Sequence, residues 1–401
     1  MIDFPASAPP DPYLRYRFVA NGFAIVIIVA SVLELIWNFR HPTSRDFVSF
    51  WGAAQLALQG RASAAYDGAV LHAVQSAVAV FRTGTENPFP YPPAYLLLVM
   101  PLGLLSFPAA MAAWTLCTFA FYLYGARKLM PGSGWLAAAF PTVFANAAAG
   151  QNGFLTAGIL MTGLSMVTRR PLLAGMVLGC LVIKPQLALL LPVALLAGRH
   201  WRVIAGGAIS SIGIMLLGTL TLGLSASAAW LHQLPLYAVI TRDGLVGWSK
   251  MASVYAAARE LGLSPGPALA INAVFGLAGA AAVWHMWRSN AGQEERVAII
   301  AGATGLASPY LLFYDSLCLV PAFIWLIRQH ERPSVLFALW CLPLLQIAQI
   351  GAHDTGLNLN AVAPVALTGL VYWRWRQGQA KRGDDPRAAL TIRQPSAITL
   401  S

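Results

Sequence analysis

The sequence predicts an all-α polytopic membrane protein of about twelve spans (a range of about 11–13), on three observations. Of 401 residues, 58% are hydrophobic and 10% charged, whereas soluble domains carry roughly 25% charged residues. Mean hydropathy is +0.63. The apolar residues come in runs of about 17–25, the length that crosses a hydrocarbon core of about 30 Å. A chain this poor in charge has too little polar surface to face water.

The net charge of +11 has two readings, nucleic-acid binding or basic loops on one membrane face. The basic residues cluster at span ends: Arg15 and Arg17, Arg127 and Lys128, Arg169 and Arg170, Arg199 with Arg202, then Arg374, Arg376, Lys381 and Arg382. This favours the membrane reading and predicts no nucleic-acid partner. Cys117, Cys180, Cys318 and Cys341 all sit in apolar runs without a C-x-x-C pair, so they read as small buried residues.

Along the chain, residues 1–17 read as a cytoplasmic N-terminus and 18–37 as an uncleaved first span. Residues 38–93 then form an external loop, in which Phe47, Phe50, Trp51, Ala54 and Leu58, and later Val70, Val74, Val78 and Phe81, recur at helical spacing. Two amphipathic helices lying on the bilayer surface are expected there. Asn87-Pro88 and Tyr91-Pro92-Pro93 close the segment as a rigid turn. Candidate spans follow at 94–106, 109–126, 134–149, 153–168, 171–198, 203–224, 267–287, 296–312, 313–329, 334–351 and 358–375, with 94–106 and 134–168 holding runs short enough for half-spans or re-entrant pieces. The run 171–198 is long enough for two short helices meeting at Lys184-Pro185. A second polar loop covers 226–266, and a disordered basic cytoplasmic tail covers 376–401. The transmembrane domain as a whole is 18–375. Basic residues beside both termini place both in the cytoplasm and require an even number of crossings. Simple alternation of these runs cannot put both 127–128 and 169–170 inside.

No H-E-x-x-H, Asp-rich metal motif, G-x-S-x-G or phosphate-binding G-x-x-x-x-G-K occurs, so no metal or cofactor is required by any motif. The informative residues are polar groups at membrane depth, where burial is costly. Asp46 stands ahead of the first loop helix, as an N-cap or as a general base. Asp67 poses the same choice ahead of the second, with the cap favoured. Lys184, inside an apolar run, either snorkels or binds an anion such as a lipid-borne phosphate. Gln151 and Asn152 cap a helix break or hydrogen-bond a sugar. Asp315 pairs with Lys184 or faces the site.

Several segments in order resemble glycosyltransferase family 87, the polyprenol-phosphate-mannose-type branch of the GT-C membrane glycosyltransferases. They are Asp46-Phe-Val-Ser-Phe-Trp-Gly-Ala-Ala, Gln59-Gly60, Tyr66-Asp67, Phe89-Pro-Tyr-Pro-Pro-Ala with Pro101-Leu, Gly150-Gln-Asn, Ile183-Lys-Pro-Gln and Ser308-Pro-Tyr with Tyr314-Asp315. The resemblance spans about residues 40–330. It implies a GT-C-type fold whose first external loop carries the catalytic aspartate, matched by Asp46. It also implies an inverting hexosyltransferase that uses a polyprenyl-phosphate sugar as donor and a lipid or glycan as acceptor. Such an enzyme would sit in the bacterial cytoplasmic (inner) membrane, with membrane lipids around it and its site facing the periplasm. On that reading Asp46 deprotonates the acceptor and Lys184, Arg45 or Arg242 meets the donor phosphate. Tyr91, Gln151, Asn152, Gln186, Tyr310, Tyr314, Asp315 and Asp67 are then candidates for binding substrate. One departure is that family members carry histidine near the later Ser-Pro motif, where this chain has Tyr310, Phe313, Tyr314 and Asp315, so mannose is not implied with the rest. The competing classes are a secondary transporter using Lys184 and Asp315, a polysaccharide polymerase or ligase, and a non-catalytic scaffold of envelope assembly.

Overall fold

A computed structural model describes residues 14–40, 46–81, 87–245, 247–351 and 358–383. The described residues form α-helices joined by 3-10 turns, with a single isolated bridge between Met251 and Leu312.

The chain enters through α1 (Leu14–Arg40), whose 22-residue apolar window Tyr16–Trp37 can cross a membrane unaided. Phe18, Val26 and Leu33 on it are exposed, as lipid-facing side chains are. Next come α2 (Phe47–Leu58), α3 (Gly68–Ser76) and α4 (Pro93–Val99), which pack together past the end of α1. The surface-lying amphipathic helix expected at α2 is not what forms, because ten of its twelve residues are buried. Phe47 and Phe50 pack edge-on against each other, and Phe50 meets Phe89, Tyr91, Tyr95 and Trp114 at 5.2–6.4 Å between ring centres. Its aromatic face therefore packs on protein rather than on lipid. Only α3 keeps the expected two-sidedness, burying Leu71 and Gln75.

Of the alternatives open for 94–106, a full span and a short piece, the short piece is the one found. Pro101 lacks an N–H and stops the α-helix at Val99, and a 3-10 turn, Met100–Leu104, follows. Both ends of the segment lie along α2. The Tyr95 ring sits 5.2 Å from that of Phe50, while Gln55 Nε2 donates to Gly103 O (2.6 Å) and Trp51 Nε1 to Leu105 O (3.0 Å).

Then α5 (Phe107–Leu129) runs away from α2 as a second long apolar helix. The short α6 (Gly134–Ala138) and α7 (Thr142–Ala149), broken at Pro141, lead back to Gly150, and α8 (Gly153–Met166) runs out again. Lys128 Nζ reaches Met166 Sδ (3.4 Å), so 127–128 and 169–170 do share one end of the molecule. Between them the chain goes out along α6 and α7 and returns along α8.

The run 171–198 is two legs, α9 (Pro171–Gly179) and α10 (Leu191–Ala197), separated by 3-10 turns on either side of Lys184. Beside α9 lies α11 (Trp201–Leu222), with backbones nearly touching: a Cβ on Gly175 would stand 2.0 Å from Val203 O, and one on Gly206 2.2 Å from Leu172 O. Small residues at such crossings are how membrane helices gain packing without a hydrophobic drive between them.

The expected polar loop 226–266 is largely helical, comprising α12 (Leu224–Arg242) and α13 (Val254–Glu260). The remaining helices are α14 (Pro265–Arg288), α15 (Gln293–Ala307), α16 (Val320–Arg328), α17 (Pro333–Gly351) and α18 (Val362–Gly383). The helix α18 carries regular structure eight residues into the segment expected to be a disordered tail, and 384–401 lie outside the described residues.

Two ends result. One gathers the α2 region, Gly150, Lys184, Ser308 and Asn358. The other is tied by Arg328 to Glu294 (2.5 Å), Arg374 to Glu331, Tyr16 Oη to Glu331 O (3.3 Å) and Gln293 Nε2 to Leu164 O (2.7 Å).

Candidate active site

Gly150 ends α7 in the left-handed region (φ 66°), and a Cβ there would lie 2.5 Å from Phe47 Cβ. Only glycine suits both constraints. Asn146 locks the turn, its Nδ2 donating to Gln151 O (3.1 Å) and its Oδ1 accepting from Gly153 N (2.9 Å). A Cβ on Gly153 would stand 2.8 Å from Tyr314 O. The Gly150–Gly153 turn is thus wedged between Phe47, next to Asp46, and Tyr314, next to Asp315.

Inside that turn, Gln151 Oε1 accepts from Asn152 N (3.2 Å) and Tyr91 Oη (3.3 Å). The backbone N–H can only donate, which fixes the amide orientation. Its Nε2 then donates to Asp46 Oδ2 (3.1 Å). Asp46 occupies the N-cap position of α2, yet its side chain makes no capping bond. The carboxylate is turned to Gln151 and approaches the Tyr314 hydroxyl. Burial pushes the Asp46 carboxyl above the ordinary carboxylate range, opposed by the Gln151 hydrogen bond and by the positive charges of Lys250 and Lys184.

Lys184 sits between two 3-10 turns, where Pro185 breaks the helix. Its Nζ donates to Asp315 Oδ1 (2.6 Å) and Asn152 Oδ1 (3.0 Å) and lies 5.2 Å from the centre of the Tyr314 ring. Both side chains of the pair are at most 2% exposed. Of the alternatives open for Asp315, pairing with Lys184 is the one found, and the ammonium expected to meet a phosphate is committed to it. The second oxygen, Asp315 Oδ2, is buried and has no hydrogen-bond partner among the described residues.

Tyr310 interacts electrostatically with both Asp46 and Asp315. Other candidates lie outside this cluster. Asp67 is exposed and caps α3, accepting from Ala69 N (3.0 Å) and Val70 N (3.1 Å), so its carboxylate is spent on a helix end. The exposed Arg242 pairs with its own neighbour Asp243 at 2.8 and 3.1 Å. Gln186 is half-buried in the turn after Lys184 and makes no hydrogen bond to the cluster among the described residues. Arg45 lies outside the described residues.

Two residues join the site that no sequence pattern singled out. Asn146 was hidden inside an apolar helix. Lys250 ends the 3-10 turn Trp248–Lys250 and is exposed, yet near enough to act on Asp46. Its segment is tied to the one carrying Tyr310 by Ala252 N to Leu311 O (2.5 Å) and Ser253 Oγ to Pro309 O (2.7 Å). Asn358 Nδ2 holds the carbonyls of Trp248 (3.0 Å) and Met251 (2.8 Å). These partners are distant in sequence, so spacing carries no sign of them.

A helical membrane protein with a carboxylate and an exposed amine at one end, backed by a buried ion pair, admits several chemistries. The profile of glycosyltransferase family 87 matches residues 89–309, more than half of the chain, and the protein belongs to that family of glycosyltransferases. The matched region holds Tyr91, Gln151, Asn152, Lys184 and Lys250. Asp46 and Asp315 lie beyond it and are joined to it by the bonds from Gln151 and Lys184. No curated protein and no solved structure matches the chain.

Proposed function

We propose that the protein transfers a hexose from a polyprenyl-phosphate donor to a hydroxyl of a lipid or glycan acceptor, with inversion, using Asp46 as general base. The observation that carries this reading is the Asp46 carboxylate, which makes no capping bond to its own helix, is held by Gln151 and feels the positive charge of the exposed Lys250. Gln151 holds Oδ2 and the Tyr314 hydroxyl approaches the same carboxylate, which orients it toward an acceptor. The carboxylate takes the hydroxyl proton as the acceptor oxygen bonds to the anomeric carbon and the bond from that carbon to the phosphate oxygen breaks. Attack opposite the leaving group inverts the centre. The departing phosphate anion needs a cation, and Lys250 fits better than Lys184, because recruiting Lys184 would strand Asp315 as a buried unpaired charge. Tyr91, Gln151, Asn152, Tyr310 and Tyr314 offer donors and acceptors to sugar hydroxyls, while the Lys184–Asp315 pair positions Asn152 and Tyr314.

We further propose twelve passes between the two ends, made by α1, α5, α6 with α7, α8, α9, α10, α11, α14, α15, α16 with its preceding turn, α17 and α18. Charge supports an external site: Arg17, Arg127, Lys128, Arg169, Arg170, Arg374 and Arg376 collect at the end away from Asp46, which the positive-inside bias assigns to the cytoplasm.

The test is purified protein in lipid nanodiscs, given labelled polyprenyl-phosphate hexoses and a membrane lipid extract. The expected result is transfer from at least one donor, reduced by about 10²–10⁴ in Asp46→Asn. Undiminished transfer by the variant overturns the base assignment. No transfer from any donor, with solute uptake in liposomes, would favour a transporter.

A further inference from the structure

The end of the molecule away from Asp46 carries a cavity that glycosyl transfer does not use. It has a volume of about 450 Å³ and lies between α1, α6, α16 and α17, walled by Ala20, Phe23, Leu136, Phe323, Ile327 and Trp340. That size is in the range of ligand pockets. Val19 and Phe337, which also line it, are 53% and 52% exposed, so the cavity opens sideways where lipid would be. Ala20 and Leu136 also line a second cavity of about 430 Å³, which holds Arg17 and Arg127. The two spaces therefore share a wall, one apolar and one lined by two arginines.

The basic part is shaped by small residues. A Cβ on Gly134 would stand 2.6 Å from Arg127 Nε, so the absence of a side chain there lets the guanidinium lie across the start of α6. Arg127 belongs to the last turn of α5 and Arg17 to the first turns of α1, so both mark the same membrane boundary. Trp135, half exposed beside them, is the residue type enriched at such boundaries. Arginine at this depth presents a planar fork matched to phosphate oxygens, and basic pockets between membrane helices hold anionic headgroups.

We propose that these adjoining cavities form a binding site for one anionic phospholipid, with its phosphate at Arg17 and Arg127 and an acyl chain along the groove of α1, α16 and α17. The 27 residues of α1 span about 40 Å at 1.5 Å per residue, and Asp46 follows its far end. The site is thus on the membrane face opposite the carboxylate, and its assignment does not depend on the proposed reaction. A bound lipid would extend the contact between α1 and α17, which Phe23 makes against Trp340 at 4.6 Å between ring centres.

The full chain in detergent, incubated with equal amounts of phosphatidylglycerol and phosphatidylcholine, tests this by native mass spectrometry. The expected result is one retained phosphatidylglycerol, preferred over phosphatidylcholine by about tenfold or more. Arg17→Gln with Arg127→Gln should bring the two lipids near parity. Ala20→Trp, which fills the shared wall, should lower retention of both. Arg170→Gln, a charge removal at the same end outside either cavity, should behave as wild type. Parity in wild type overturns the proposal, as does an Arg170→Gln effect equal to that of the double variant. Displacement of the phosphatidylglycerol by equimolar polyprenyl phosphate would assign the groove to a donor chain and also overturn it.

Discussion

The N-termini of α2 and α3 begin alike, each with an aspartate at the capping position, and they end in opposite uses. Asp67 has extended backbone (φ −89°, ψ 113°) and accepts two backbone N–H groups in the open. Asp46 has helical backbone (φ −56°, ψ −30°), which points its carboxylate away from the helix end, and Gln151 receives it. Local sequence is compatible with a cap in both places. The difference lies in what packs against each helix, namely solvent at α3 and the Gly150 turn at α2. A carboxylate withheld from its usual local role, inside a protein-lined recess, marks a residue kept for something else.

Exchanging amide for acid at the two positions gives the widest contrast. Asp46→Asn should lose transfer by about 10²–10⁴ with little change in stability, whereas Asp67→Asn should retain near wild-type rates in the same assay. Breaking the buried pair comes next: Lys184→Met should destabilise the protein by about 3–5 kcal/mol, read from thermal unfolding in detergent. Lys184→Met with Asp315→Leu should recover much of that loss, because the stranded carboxylate is gone. If Lys184 instead served the donor phosphate, the double variant would recover stability and stay inactive, whereas a positioning role predicts partial recovery of rate as Asn152 and Tyr314 settle. Lys250→Ala should lower kcat/KM by about 10–100-fold without changing the unfolding temperature, since an exposed side chain contributes to the anion and not to packing. Smallest is Asp67→Ala, about 1 kcal/mol in stability for a lost cap, with activity intact.

How much of this was readable in advance follows the same division between local and distant causes. Membrane residence needed only composition. The break at Lys184-Pro185 was visible because proline acts on its own helix. The face of α2 was misread, because aromatic residues at helical spacing look the same whether they meet lipid or meet Phe89, Tyr91, Tyr95, Phe107 and Trp114. Segment 94–106 is short because Pro101 ends the helix, and Gln55 and Trp51 hold its far end along α2. Asp46, Gln151 and Lys184 stand out as polar groups among apolar ones, and the family resemblance gives them their roles. Their bonds to one another, and the approach of Lys250, are tertiary facts that no spacing encodes.

The central claim is that Asp46 must be ionised to accept a proton, and the pH dependence of kcat/KM tests it most directly. Burial raises this carboxyl above the ordinary carboxylate range. The base works when deprotonated, so the rate should rise with pH through an apparent pKa above that range and level off at higher pH. The Gln151 hydrogen bond favours the charged form, so Gln151→Leu should move that acid limb further up. A wild-type acid limb that is absent, or one that Gln151→Leu shifts downward, would contradict the account.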